Sequence, residues 1–163
     1  MEIPKILLNK ANEIEAELQK KCPEAAPFFK GCFLNTIETT VKELSDGSYF
    51  VITGDIPAMW LRDSAAQVKP YIRYANEDED LKNILKSIIE KHAFYVCLDP
   101  YSNAFNSEAN PDSAKDETDF YHELIWERKY EVDSLCAPLY LAHEYYETTL
   151  DTSIFTEQFH EML

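Results

Sequence analysis

Apolar residues recur along this chain at two periods, and the changes of period divide it into elements. Ile3, Leu7, Ala11, Ile14 and Leu18 return every three or four residues, which predicts an amphipathic helix ending near Cys22-Pro23. Phe29, Phe33, Ile37, Val41 and Leu44 keep the beat and predict a second helix, closed by Asp46-Gly47. The segment "SYFVIT" (48–53) alternates and is β-branched, so it predicts a short strand. Gly54-Asp55 then turns the chain, and Pro57 biases Ile56 towards an extended conformation. A third helix is expected after Asp63, since Asp is a favoured N-cap, with Pro70 kinking or ending it. Leu81, Leu85, Ile88, Ile89, His92 and Tyr95 predict a fourth helix over about residues 79–98. A long acidic loop, about 99–123, follows. A fifth helix opens at Asp133-Ser134 and carries Leu135, Leu139, Ala142 and Tyr146. A sixth is announced by Asp151-Thr152-Ser153 and runs through Ile154, Phe155, Phe159 and Met162. Leu163 is still on the apolar beat, so the chain reads as the N-terminal part of something longer, cut within a helix whose apolar side chains are expected to be exposed.

The pattern is mainly all-α, with one internal echo. "WLRDSAAQVKPY" and "YEVDSLCAPLY" both set Asp-Ser at a helix start, a Pro several residues in and then Tyr, 70 residues apart (63 to 133). Two helices with their connections fill such an interval. A ring of helical hairpins would bring both Asp-led helix starts to one face. The echo is too short to establish a repeat by itself.

Composition narrows the partners. Of 163 residues, 45% are hydrophobic and 13% aromatic, which is globular material with a core to bury. A net charge of −15 repels phosphate backbones and anionic lipid, so neither nucleic acid nor a membrane surface is expected. The N-terminus has an early Glu and Pro and no continuous apolar run, unlike a secretory signal, which points to a cytoplasmic protein. Cys22, Cys32, Cys97 and Cys136 form no C-x-x-C pair and are expected to be reduced, buried thiols. "HEYYE" at His143 lacks the second His of a zinc motif, and three glycines build no phosphate loop. The acidic loop offers Asp99, Glu108, Asp112, Asp116, Glu117, Asp119 and Glu123 against Lys115, but without the regular spacing of a calcium loop.

The residues that could carry chemistry crowd around helix starts: Asp55, Trp60, Arg62, Asp63, Glu127, Arg128, Glu131 and Asp133. Asp63 and Asp133 read equally as N-caps satisfying backbone N–H groups. Arg62 beside Asp63 is either a structural ion pair or a fixed set of donors and acceptors suited to vicinal hydroxyls. Trp60 offers a flat face to the C–H side of a sugar ring, or packs in the core.

"GCFLNTIETTV", "FVITGDIPAMWLRDSAAQVKPY", "DPYSNAFN" and "WERKYEVDSLCAPLYLA" closely resemble glycoside hydrolase family 125, the exo-α-1,6-mannosidases. The likeness spans about residues 30–163. It implies an (α/α)₆ barrel, of which residues 1–163 are the N-terminal portion, with a pocket at the helix mouths. It implies removal of a terminal α-1,6-linked mannose from oligosaccharides with inversion, using two carboxyl groups and neither metal nor other cofactor. Carried over, Trp60, Arg62, Asp63 and Asp133 are the expected substrate-binding residues. The general acid and base are expected beyond residue 163, so this segment alone is expected to be inactive. Two other readings stand beside it: a non-catalytic carbohydrate-binding or scaffold half-barrel, and a hydrolase whose acidic loop binds calcium.

Overall fold

A computed structural model of the chain describes residues 2–110 and 120–163. The fold is mainly helical. Among the described residues, six α-helices are formed: α1 (Lys5–Lys21), α2 (Ala26–Asn35), α3 (Leu61–Val68), α4 (Glu79–Leu98), α5 (Val132–Thr149) and α6 (Glu157–Met162). Five three-residue strands join them: β1 (Val41–Glu43), β2 (Tyr49–Val51), β3 (Ala58–Trp60), β4 (Ala104–Asn106) and β5 (Ile125–Glu127). β1 and β2 form an antiparallel hairpin, while β3-β4-β5 form an antiparallel sheet with β4 in the middle.

The second helix stops earlier than its apolar beat suggests. The run Thr36-Ile37-Glu38-Thr39-Thr40 is rich in β-branched residues, which lose χ1 freedom in a helix. The Thr39 and Thr40 hydroxyls donate back to the carbonyls of Asn35 and Thr36, both at 2.7 Å. The backbone widens there into one π-helical turn, Thr36–Thr40, and leaves as β1. Ile37 and Val41 still reach the core, from a turn and a strand. Gly47, at φ 80°, closes the hairpin in a conformation that strains other residues.

α4 is the central post, burying Leu81, Ile84, Leu85, Ile88, Ile89, His92, Ala93, Tyr95 and Val96. Asp78 caps it by accepting from the Leu81 N–H at 3.0 Å. The same carboxylate accepts from the Ile6 N–H at 3.2 Å, which ties α1 to the start of α4. Tyr95 stacks on Phe105 at 4.4 Å and donates to the Asn106 carbonyl at 2.7 Å, docking α4 on the sheet. The expected sixth helix divides into a 3₁₀ turn, Thr152–Ile154, and α6, capped by Thr156. Of its apolar residues, Phe155 and Leu163 are exposed, but Phe159 is buried. Phe159 sits on α6 where that helix packs on α4, and the Cys97 thiol donates to the Gln158 carbonyl at 3.3 Å.

α3 and α5 lie side by side and run in the same direction. Three side-chain bonds mark the seam, which runs on from α3 into the 3₁₀ stretch that follows it (Lys69–Glu77): Arg62 to Asp133, Lys69 to Tyr140, and Asn76 to the Thr148 carbonyl. Each joins residues 71 or 72 apart, so the seam keeps one offset along its length. This is within a residue or two of the 70-residue spacing of the Asp-Ser echo, and both Asp-led turns do lie together. The cysteines depart from expectation: all four are free, but Cys22, Cys32 and Cys136 are exposed and Cys97 is half-buried. Periodicity placed them in helices without fixing the face each helix turns inward.

Candidate functional site

The site is built where β3 runs into α3. Gly54 (φ 150°) turns the chain after β2, and Thr53 clamps the loop shut. Its hydroxyl accepts from the Trp60 N–H at 3.1 Å and donates to the Ala58 carbonyl at 3.2 Å. Trp60 pairs with Ala104 on β4, which in turn faces Glu127 on β5. The sheet extends into the helix: the Leu61 N–H donates to the Asn103 carbonyl at 3.1 Å, and the Asn103 N–H to the Glu127 carbonyl at 3.2 Å.

α3 therefore begins at Leu61, three residues before the expected start, with Trp60 in the cap position. α5 likewise begins at Val132, with Glu131 rather than Asp133 in the cap position. Neither Asp63 nor Asp133 is an N-cap, which overturns that reading of both. The short sheet already supplies the first backbone acceptor at α3, so no side-chain cap is required there. Asp63 is left to act outside its helix, while Asp133 keeps one local bond, accepting from the Ser134 N–H at 3.0 Å through one oxygen and leaving the other for a partner outside.

They converge on one cation. The Arg62 guanidinium donates to Asp133 at 2.9 Å and to Asp63 at 3.2 Å, and stands 3.7 Å from Glu131. The Asp133 hydrogen bond, with the charge of Asp63, raises the affinity of Arg62 for its proton. In return, the bond from Arg62 holds the Asp133 carboxyl below the usual carboxylate range. Arg62, Asp63 and Asp133 remain 45%, 41% and 55% exposed, so the cluster is open to a ligand. Trp60, Arg62 and Asp63 line an open depression of ≈ 210 Å³ with Thr53, Gly54, Asp55 and Ile56. Asp133 is not on that lining; it reaches Arg62 from α5, across the seam.

Behind this wall lies a second polar layer. Asn103 donates to the Glu127 carboxylate at 2.7 Å and Lys129 to it at 3.1 Å. Burial would raise the Glu127 carboxyl, but these bonds, the Lys129 charge and the Trp60 indole N–H outweigh it and hold Glu127 below its usual range. Glu127 thus braces Trp60. Arg128 turns the other way. It meets Asp99 through Nε at 2.8 Å and a second nitrogen at 3.4 Å, between the rings of Tyr101 and Phe120. Glu131 accepts from the Ser134 hydroxyl at 2.8 Å. No sequence spacing announces the Asp99–Arg128 or Arg62–Asp133 pairs, because their members lie 29 and 71 residues apart.

The acidic loop is not one array. Asp99, the first of its carboxylates, is buried and committed to Arg128. Asp112, Lys115, Asp116, Glu117 and Asp119 lie outside the described residues. Among the described residues, no three His, Cys, Asp or Glu side chains come together as a metal-holding group. A cluster of one guanidinium, three carboxylates and an indole face has the donors and acceptors that a polyhydroxylated ring requires.

Residues 23–163 match the model of a family described as metal-independent α-mannosidases, glycoside hydrolase family 125. Among characterised sequences, the chain is 36% identical over 145 residues to the meiotically up-regulated gene 157 protein of Schizosaccharomyces pombe, covering 82% of this chain and 28% of that one. Among solved structures, it is similar to a metal-independent α-mannosidase from Streptococcus pneumoniae in a non-productive substrate complex with α-1,6-mannobiose. That match has a TM-score of 0.89 and 44% identity, over 97% of this chain and 37% of the other. The helices described above are accordingly part of an (α/α)₆-type fold. The chain spans well under half the length of either relative.

Proposed function

Because the chain belongs to the metal-independent α-mannosidase family GH125, we propose that it forms the glycone-binding wall of an exo-acting α-1,6-mannosidase. Residues 1–163 constitute the N-terminal portion of one (α/α)₆ catalytic domain. Trp60 takes the C–H face of the terminal mannose of an oligosaccharide. Asp63 and Asp133 accept from its hydroxyls, and Arg62 donates to them while holding both carboxylates in place. The observation that carries this reading is the Arg62 bridge between Asp63 and Asp133, beside Trp60 on the wall of an open depression.

The reaction is a single displacement. One carboxylic acid protonates the leaving oxygen while a carboxylate on the opposite face activates water, the two standing about 6.5–9.5 Å apart. A cluster on one wall serves at most one side of the sugar, so the opposing carboxyl group comes from residues outside 1–163, and the resemblance to the family implies that both do. The test is proton NMR of α-1,6-mannobiose hydrolysis by the protein carrying the whole domain. β-Mannose should appear first, and α-mannose first would reject inversion. No turnover of any α-mannoside, with mannobiose still bound, would favour a non-catalytic binding module. Residues 1–163 expressed alone should show no turnover; hydrolysis by that segment would place the acid and base within it.

A further inference from the structure

We propose that His92 is a positioning residue: from the buried face of α4 it fixes the first turn of α3, and so the direction in which Arg62 and Asp63 point. The inference rests on the reading of that cluster as the mannose-binding wall. His92 has no exposed surface, and its Nε2 lies 2.8 Å from the Ser64 hydroxyl, which is also fully buried. The same hydroxyl lies 3.1 Å from the Leu61 carbonyl. A serine has one hydrogen to give. If Ser64 donates to Leu61, the bond to His92 must run from the Nε2–H to the Ser64 oxygen. That tautomer leaves Nδ1, which has no partner among the described residues, as a bare lone pair rather than a stranded N–H. Burial pushes the His92 pKa down to about 3, so the ring stays neutral and keeps this single arrangement near neutral pH.

The consequence is geometric. Leu61 is tied to the sheet through Asn103, and Ser64 is tied to α4 through His92. Arg62 and Asp63 are the two residues between these anchors, and they project from the opposite, open side of the turn. Rotating the turn about its axis would swing both side chains together. A displacement of about 1 Å in a substrate-positioning group costs about a hundredfold in rate. Ser134, the echo of Ser64 on α5, is held locally by Glu131, so α3 alone takes its anchor from another helix.

The experiment uses the protein carrying the whole domain. His92→Phe and Ser64→Ala each remove the bond, from opposite sides, while His92→Gln keeps an N–H near the position of Nε2. The first two should lower kcat/KM for α-1,6-mannobiose about ten- to a hundredfold, the double variant no further, and His92→Gln should restore most of it. The Arg62 side-chain N–H resonances, held by Asp133, should lose their dispersion in the first two variants and keep it in the third, a readout independent of turnover. In the wild type, long-range ¹H–¹⁵N correlation should show the Nε2–H tautomer. Wild-type kcat/KM and unchanged Arg62 resonances in Ser64→Ala, or an Nδ1–H tautomer, would overturn the proposal. Loss of thermal stability alone would also overturn it, reducing His92 to a core residue. An inactive wild type would count against the mannosidase reading, and the Arg62 resonances and the tautomer would still decide the role of His92.

Discussion

Asp63 shows how a side chain can look like a helix cap and be something else. With α3 beginning at Leu61, its carboxylate caps no helix and, among the described residues, is held by Arg62 alone. Asp63→Ala should therefore leave the thermal melt nearly unchanged. A charge-assisted hydrogen bond to substrate contributes about 1.5–3 kcal/mol, so kcat/KM should fall about ten- to a hundredfold. Kinetics of the purified variant beside its melting curve decide between the roles, since a lost cap would lower stability and leave turnover per folded molecule intact. Trp60, Arg62, Asp63 and Asp133 were legible as candidates because their types are chemically expensive and crowd at helix starts. Which carboxylate meets which cation was not legible, because that depends on how α3 and α5 pack. His92 was visible in sequence only as one more position on a buried stripe.

Among the elements, α4 was readable to its ends, because its apolar stripe is long, is capped by Asp78 and follows one period. Of the three-residue strands only β2 was, inside the strand expected at 48–53; the others are too short to display an alternation, and β4 is buried at every position. The two prolines of the echoed segments, seven residues after Asp63 and five after Asp133, act differently. After Val68 the helix tightens to a 3₁₀ stretch, Lys69–Glu77, at Pro70, whereas Pro138 is buried within an unbroken α5. The end of α5 is more costly than its sequence suggests. Leu150 adopts φ 54°, a left-handed conformation that usually falls to glycine, and its side chain is 72% exposed. Leu150→Gly should stabilise the fold by about 1 kcal/mol, read from the urea midpoint, because the left-handed penalty is about 1–2 kcal/mol for residues bearing a Cβ. The following turn depends on Asp151. Its carboxyl is held down at about 2, from the usual 3.8, by the Ser153 hydroxyl and amide and by the Tyr145 hydroxyl, against the effect of burial. A depressed carboxylate contributes stability that is complete above its unfolded value and drains away as pH falls through the folded one. Asp151→Asn should therefore lower the melting temperature at pH 7 and flatten its decline between about pH 4 and pH 2.

At the scale of the molecule, the seam between α3 and α5 has a consequence for the order of events in folding. Its three bonds span 71 or 72 residues, and none can form until the intervening chain, with all of α4, has folded back on itself. Closing so long a loop costs entropy before any bond is gained, so contacts of this span are slow to arrive. α4, by contrast, is a local structure and can form early. In stopped-flow refolding of the protein carrying the whole domain, far-UV circular dichroism should therefore recover before any mannobiose-dependent change in tryptophan fluorescence. Simultaneous recovery would show that the seam is part of the folding nucleus. If the lag is found, a chain caught between the two phases has its helices and no grip on sugar. Mannobiose in the refolding buffer would then slow unfolding and leave the rate of folding untouched, because the ligand has nothing to hold until the last register is set.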